Sequence, residues 1–301
     1  MYDIIGDIHG YAGPLKRLLI RLGYQETGGV WRHAHRKALF LGDYIDRGPE
    51  QLEVVRVVRA MVEAGAALAI MGNHEFNAVA WAEHLRPHNA KNRHQHQAFL
   101  EQVGENSPFH HEVLDWFRGL PLYLNLPELR AVHACWHPDH MITLVQELDS
   151  QQRLPAHAWA RAATEGNPLF SAVETALKGQ EVELPDGVGF HDKDGHHRRH
   201  IRTRWWQSTP ATYRSVALMP ESARDGVPDQ PLPESVLPGY EGAKPVFVGH
   251  YWLHGTPAPL TDNVACLDYS IAARHGGRLA AYRWDGRHPL HDDAFEWVSR
   301  E

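Results

Sequence analysis

Three short apolar runs near the start of the chain each end in a polar, glycine-containing turn. "YDII" runs into "GDIHG", "KALFL" into "GDYIDRG" and "AALAIM" into "GNHE". Helix-patterned segments separate them. The first, "GPLKRLLIRLGY", puts Leu15, Leu18, Leu19 and Leu22 on one face, with Pro14 in its first turn and Gly23 at its end. The second, "PEQLEVVRVVRAMVEAG", is opened by Pro49 and closed by Gly65. A β-α-β-α-β order leaves few folds open. It predicts a parallel sheet with right-handed crossovers.

Open sheets of this kind bind ligands outside the carboxyl ends of their strands. Asp7, His9, Asp43, Asp46, Arg47, Asn73, His74 and Glu75 are therefore expected to converge along one edge. Further on, "FNAVAWAEHL", "HQAFLEQV" and "HEVLDWFRGL" read as helices, and "LYLNLPELRAVHAC" as two strands around Pro127. The end of the chain returns to β with "PVFVGH", "VACLDYS" and "RLAAYRW". Two of these later strands deliver His133 and His250 in the same strand-end position. The collected donors are oxygens and imidazoles without thiolates, which suit Mn, Fe, Zn or similar divalent ions rather than a thiolate zinc site. They are too many for one open catalytic ion. They fit two ions sharing a bridging carboxylate, an arrangement that activates water and clamps both oxygens of an in-line phosphoryl displacement.

Each motif alone is weak. A lone GDxHG can be only a polar turn, and a lone His after a strand is more often structural than a ligand. Three motifs in order, one βα unit apart and each after an apolar run, carry the weight. The 23 histidines include many expected surface residues. "HDKDGHHRRH" (His191 to His200) reads as a solvated loop rather than a third metal site, and a loop over the site would bear on substrate choice.

Composition narrows the classes. The formal charge of -7 and the lack of a broad basic field argue against long nucleic acids as partners. Cys135 and Cys266, the two cysteines, exclude a disulfide framework and fit a cytoplasmic location. "MYDIIGDIHG" lacks the cationic and apolar regions of a signal peptide. The most apolar stretch is interrupted by Arg56, Arg59 and Glu63, so no membrane span is expected. No linker divides the chain. The expectation is one domain over residues 1–301, with a variable helical and loop insertion at about 140–240 and an aperiodic loop from Ser222 to Pro245.

"GDIHG", "GDYIDRG" and "GNHE" resemble the three signature motifs of the phosphoprotein phosphatase family of binuclear metallophosphoesterases. The bacterial and phage branch, which includes symmetrical diadenosine tetraphosphatases, is the most similar. "CLDYSIAARHGGRLAAYRW" is similar to the strand-turn-strand that closes many bacterial members. The resemblance implies an α/β calcineurin-like fold, two packed mixed β-sheets flanked by helices in an αββα sandwich. It implies that Asp7 and His9 hold one metal, that Asp43 bridges both, and that Asn73, His133 and His250 complete the second. It further implies His74 as the acid that protonates the leaving oxygen, Asp46 as its orienting partner and Arg47 as a phosphate ligand. A His paired with a carboxylate suits a general acid near neutral pH, and a guanidinium matches a phosphoryl group. For the pair of divalent ions Mn is the first choice, with Fe, Zn, Ni, Co and Mg as alternatives.

The family usually supplies a second phosphate-binding arginine. "HIRTRWW" is the candidate stretch, with Arg204 first and Arg202 second, both on one face if the stretch is a strand. Two departures stand out. "HACW" puts Cys135 where the family carries glycine, and "YWLHG" follows His250 where many relatives carry Thr. Tyr251 and Trp252 read first as core packing and second as an aromatic wall. The leading expectation is a metal-dependent phosphomonoesterase of the Ser/Thr protein phosphatase type, in which water activated between the ions attacks phosphorus directly. The alternative is a dinucleoside tetraphosphate hydrolase or another nucleotide phosphohydrolase. A non-catalytic binding protein that keeps the fold stands behind both.

Overall fold

The computed structural model describes residues 1–191, 197–207, 211–219, 224–233, 239–240, 242 and 244–301. In the first half the strands are β1 (Tyr2–Ile5), β2 (Gln25–Thr27), β3 (Val30–Arg32), β4 (Lys37–Phe40), β5 (Ala67–Ala69), β6 (Tyr123–Asn125) and β7 (Arg130–Val132). The helices among them are α1 (Ala12–Leu22), α2 (Gln51–Glu63), α3 (Asn73–Ala82), α4 (Ala90–Val103) and α5 (Pro108–Arg118). The middle carries α6 (Pro138–Glu147), α7 (Trp159–Ala162), α8 (Pro168–Lys178), β8 (Glu181–Glu183), β9 (Phe190–His191), β10 (His197–Arg198), β11 (His200–Arg202) and α9 (Tyr213–Val216). The end adds β12 (Val246–Val248), β13 (Val264–Cys266), β14 (Asp268–Tyr269), β15 (Arg278–Trp284) and β16 (Phe295–Ser299).

Two mixed sheets form the centre of the molecule. The first runs β14-β15-β1-β4-β5, with β16 also paired to β15. β1, β4 and β5 are mutually parallel, as their helical crossovers require, while β15 joins β1 antiparallel. The second runs β13-β12-β7-β6, with β12 parallel to both neighbours. The strict period of two along each strand explains why the sheets stack. Ile4 and Leu39 of the first sheet meet Ala131, Phe247 and Ala265 of the second in one buried layer. Their alternates Ile5, Ala38 and Phe40, and Val246 and Val248, face the other way into the core shared with the helices. The result is the α/β sandwich of two packed mixed sheets flanked by helices.

Three local features differ from the sequence reading. A hairpin, β2–β3, stands between α1 and β4, built on the tight "TGGV" turn. β5 ends at Ala69 and helix α3 begins at Asn73, so "GNHE" forms the cap and first turn of a helix rather than the end of a strand. Strand β11 stops at Arg202, so Arg204 lies beyond it and does not share a strand face with Arg202. Residues 192–196 of the His191–His200 stretch, and 222–223, 234–238, 241 and 243 of the Ser222–Pro245 stretch, lie outside the described residues. Among the described residues no helix is long and apolar enough to cross a membrane.

Phe247 is central to the layer between the sheets. It is fully buried, with ring centroids 5.1 Å from Tyr282 and 6.0 Å from Trp284 of the first sheet. Phe247→Ala is expected to cost about 3–5 kcal/mol of stability. Denaturant unfolding measures it, and a loss below about 1 kcal/mol would contradict this account of how the sheets are held.

Candidate active site

The carboxyl ends of β1, β4, β5, β7 and β12 open onto one region, and the chain leaves β1, β4 and β12 in strained turns. Six non-glycine residues there have positive φ: His9 (47°), Asp43 (53°), Asp46 (67°), Arg47 (73°), His250 (70°) and Trp252 (52°). Such strain gathers at functional sites and persists only where the surroundings over-determine it. Glu75 supplies much of that determination. From the first turn of α3 its buried carboxylate accepts the backbone N–H of Asp43 at 2.8 Å, of Tyr44 at 2.8 Å and of Gly72 at 3.0 Å. Burial and the neighbouring Asp43 push the Glu75 carboxyl up to about 7. Glu75 had no assigned role in the sequence reading. Its spacing three residues after Gly72, at the third position of a helix, was the available signal.

The structure brings together Asp7, His9, Asp43, Asn73, His133 and His250. Ligand atoms of His9, Asp43 and His74 lie within 4.8 Å of one another, as do those of Asp43, His133 and His250. Asp43 is common to both groups. Its Oδ2 is 3.7 Å from His9 Nε2 and its Oδ1 is 3.4 Å from His133 Nε2. Asn73 Oδ1 sits 3.1 Å from His133 Nε2 and 2.9 Å from His250 Nδ1. Asp7 closes the set, accepting the His250 backbone N–H at 3.0 Å.

These donors fit a pair of divalent cations. His9 Nδ1 faces the Ile45 carbonyl at 3.1 Å and His133 Nδ1 the Leu41 carbonyl at 2.7 Å, which turns both Nε2 atoms inward. That is the usual outer support of a metal-binding imidazole. His9 Nε2 and His250 Nε2 are buried without a partner. Burial lowers both imidazoles, His9 to about 3, so they stay neutral as metal ligands must. Burial and the nearby Asp268 push the Asp7 carboxyl up. Burial opposes ionisation of Asp43 as well, but His133 and His74 outweigh it and hold that carboxyl well below its usual range. Burial would lower His133, yet Asp43 drives it up to about 10. The negative potential that draws a proton there is the potential that draws a cation.

Beside the donors, His74 Nδ1 lies 2.5 Å from Asp46 Oδ2. Burial depresses the His74 imidazole, but Asp43 and Asp46 override it and raise its pKa. Arg47 is exposed, and its guanidinium lies over the Trp252 ring at 4.1 Å from the centroid. Trp252 is therefore at the site, in a role beyond core packing. Tyr251 is buried, and its hydroxyl donates to the Ala134 carbonyl at 3.0 Å and accepts from Trp205 Nε1 at 2.8 Å. Cys135 is buried too, and burial pushes its thiol up. Of the two candidate arginines, Arg202 acts electrostatically on His250 and pairs with Glu181 at 3.7 Å. Arg204 has the Arg224 cation as its electrostatic neighbour and is half-buried. Arg202 is thus the one of the two whose charge is felt at a donor residue, His250.

Gly249 is required by close approach. A Cβ there would overlap the Asp7 carboxylate. Gly249→Ala is expected to lower bound metal from two equivalents to one or none, read by elemental analysis of the purified protein. Two retained equivalents would remove Asp7 from the donor set.

Residues 2–177 match the family model described as calcineurin-like phosphoesterase. A 150-residue stretch is 33% identical to an asymmetrical bis(5'-nucleosyl)-tetraphosphatase of Oceanobacillus iheyensis, covering 46% of this chain and 58% of that protein. A 160-residue stretch is 29% identical to a symmetrical bis(5'-nucleosyl)-tetraphosphatase of Thioalkalivibrio sulfidiphilus, covering 51% and 53% respectively. The chain thus spans little more than half the length of these curated relatives. A cold-active protein-tyrosine phosphatase of a psychrophilic Shewanella has the same fold, with a TM-score of 0.53 over 99% of this chain and 80% of that one, at 17% identity. The family match covers more than half of the chain and includes the turns that carry Asp7, Asp43 and His74: this chain belongs to the calcineurin-like phosphoesterase family.

Proposed function

We propose that the chain is a divalent-metal-dependent phosphohydrolase of nucleotides, with dinucleoside tetraphosphates as its substrate class. The likeness in sequence to two nucleosyl-tetraphosphatases carries the choice of substrate. The likeness to a protein phosphatase is one of fold alone. This favours the alternative over the Ser/Thr protein phosphatase that the sequence motifs first suggested, which becomes the second reading.

Two divalent ions held by Asp7, His9, Asp43, Asn73, His133 and His250, with Mn as first choice, would supply Lewis-acid charge and an acidified water. The chain's own groups do the rest. Arg47 presents a fork of donors to the non-bridging oxygens of the scissile phosphate, and Trp252 holds that fork in place from below. Arg202 adds a second positive charge from the side of His250. His74, protonated and held by Asp46, gives its proton to the departing oxygen. Water adds to phosphorus as the bond to that oxygen breaks, leaving two ADP-type products or an ATP-type and an AMP-type product.

The test compares kcat/KM of the Mn-loaded protein for a dinucleoside tetraphosphate, mononucleotides, phosphopeptides and an aryl phosphate, with the nucleotide products identified. A preference of at least tenfold for the tetraphosphate is expected. A preference for phosphopeptides would establish the second reading, and no turnover of any of the four would point to a binding protein. His74→Asn is expected to lower kcat by about 10²–10⁴-fold with both metals retained. Asp43→Asn should lose metal and activity together. Trp252→Ala should raise KM by about two- to fivefold, since it frees the Arg47 guanidinium without removing it; an unchanged KM would deny the platform role.

A further inference from the structure

One buried histidine at the site is unaccounted for by the donor set or by the proton transfer. His96 projects from α4 and is fully buried. Its Nδ1 lies 2.7 Å from Asp46 Oδ2, the oxygen that also faces His74 Nδ1 at 2.5 Å. The two rings stand 6.4 Å apart and nearly perpendicular, at 85°. The His96 contact is close but off the ideal hydrogen-bond axis, and Asp46 Oδ1 has no partner. The Asp46 carboxylate therefore sits between two imidazoles that both approach one of its oxygens.

The other side of His96 fixes which nitrogen carries its proton. Arg86 Nη1 is 3.5 Å from His96 Nε2. A guanidinium only donates and stays charged, so Nε2 must present its lone pair and the ring proton must reside on Nδ1, toward Asp46. Arg86 is itself steadied by Asn92 Oδ1 at 3.2 Å and Gln95 Oε1 at 3.3 Å, both on the helix that carries His96. Behind Asp46 the contacts form one line: Arg86 guanidinium, His96 imidazole, Asp46 carboxylate and His74. Asp46 also has positive φ, and its backbone N–H donates to Gln51 Oε1 at 3.0 Å. Its main chain is fixed from one side and its carboxylate from the other.

We propose that His96 is a positioning residue that fixes the Asp46 carboxylate, and through it aims the His74 imidazole at the departing oxygen. It touches neither substrate nor metal donor. Without its N–H the Asp46 side chain is free to rotate toward its unpartnered oxygen, and the His74 ring loses its fixed direction. The proposal rests on the reading of His74 as the acid.

A leaving-group comparison tests it. Dinitrophenyl phosphate releases dinitrophenolate, a weak base that departs without a proton, whereas the strongly basic phenoxide of phenyl phosphate needs one. His96→Leu, near in volume but without a donor, is expected to lose about 10- to 100-fold in kcat on phenyl phosphate and less than threefold on dinitrophenyl phosphate, with KM nearly constant in both. His96→Asn, whose amide nitrogen can stand in for Nδ1, should recover most of the loss. In an Asp46→Asn background His96→Leu should add nothing further, because both changes break one linkage. Thermal unfolding of each variant verifies folding, and His96→Ala serves if the leucine does not pack. Equal losses on both esters, no loss on either, or full additivity with Asp46→Asn would each overturn the proposal. His74→Asn is run alongside: if it shows no leaving-group dependence, the acid assignment itself fails, independently of His96.

Discussion

The Glu75 carboxylate is the constraint on which the site depends. It gathers backbone donors from Gly72, Asp43 and Tyr44, tying the loop after β4 to the first turn of α3. Those bonds hold Asp43 in a left-handed conformation that is uncommon for any residue with a side chain. Once Asp43 is fixed, its two oxygens face opposite ways, toward His9 and toward His133. Asp46 follows three residues later with its carboxylate against His74. One buried acid that need not bind metal thus orders another that would, and the cost of burying it is met by backbone hydrogen bonds rather than by a counter-ion.

Much of the fold and of the site was legible because strand ends announce themselves. Apolar runs followed by glycine and acids mark β1, β4 and β5, and proline and glycine bound the helices between them. His133 and His250 were legible by the same rule, each closing an apolar run. What was not legible was long-range pairing. Nothing in "RLAAYRW" says that it pairs antiparallel to β1, since that register depends on where nearly the whole chain has been led. Nor did "RHQHQAF" identify His96, whose role comes from the contact of α4 with a turn fifty residues earlier.

The arginines show a different limit. Alternation along "HIRTRWW" assumes that the strand continues, and it ends at Arg202. Trp252 shows the reverse case. An aromatic after a strand end reads as core by default, and what overrides the default is a positive φ that turns its ring under Arg47. Both outcomes were decided by the backbone path, which side-chain patterning reports only within a regular element.

The donors come from both sheets and from both ends of the chain. Asp7 accepts the backbone N–H of His250, a contact across 243 positions of sequence. Closing so long a loop is entropically unfavourable. The donor set is therefore complete only when β12 lies against β7 and Asp7 has met His250. A nascent chain has no complete cage to trap stray cations until β12 has docked, and a cation that then binds acts as a clasp between the two sheets, adding its binding free energy to the stability of the assembled molecule.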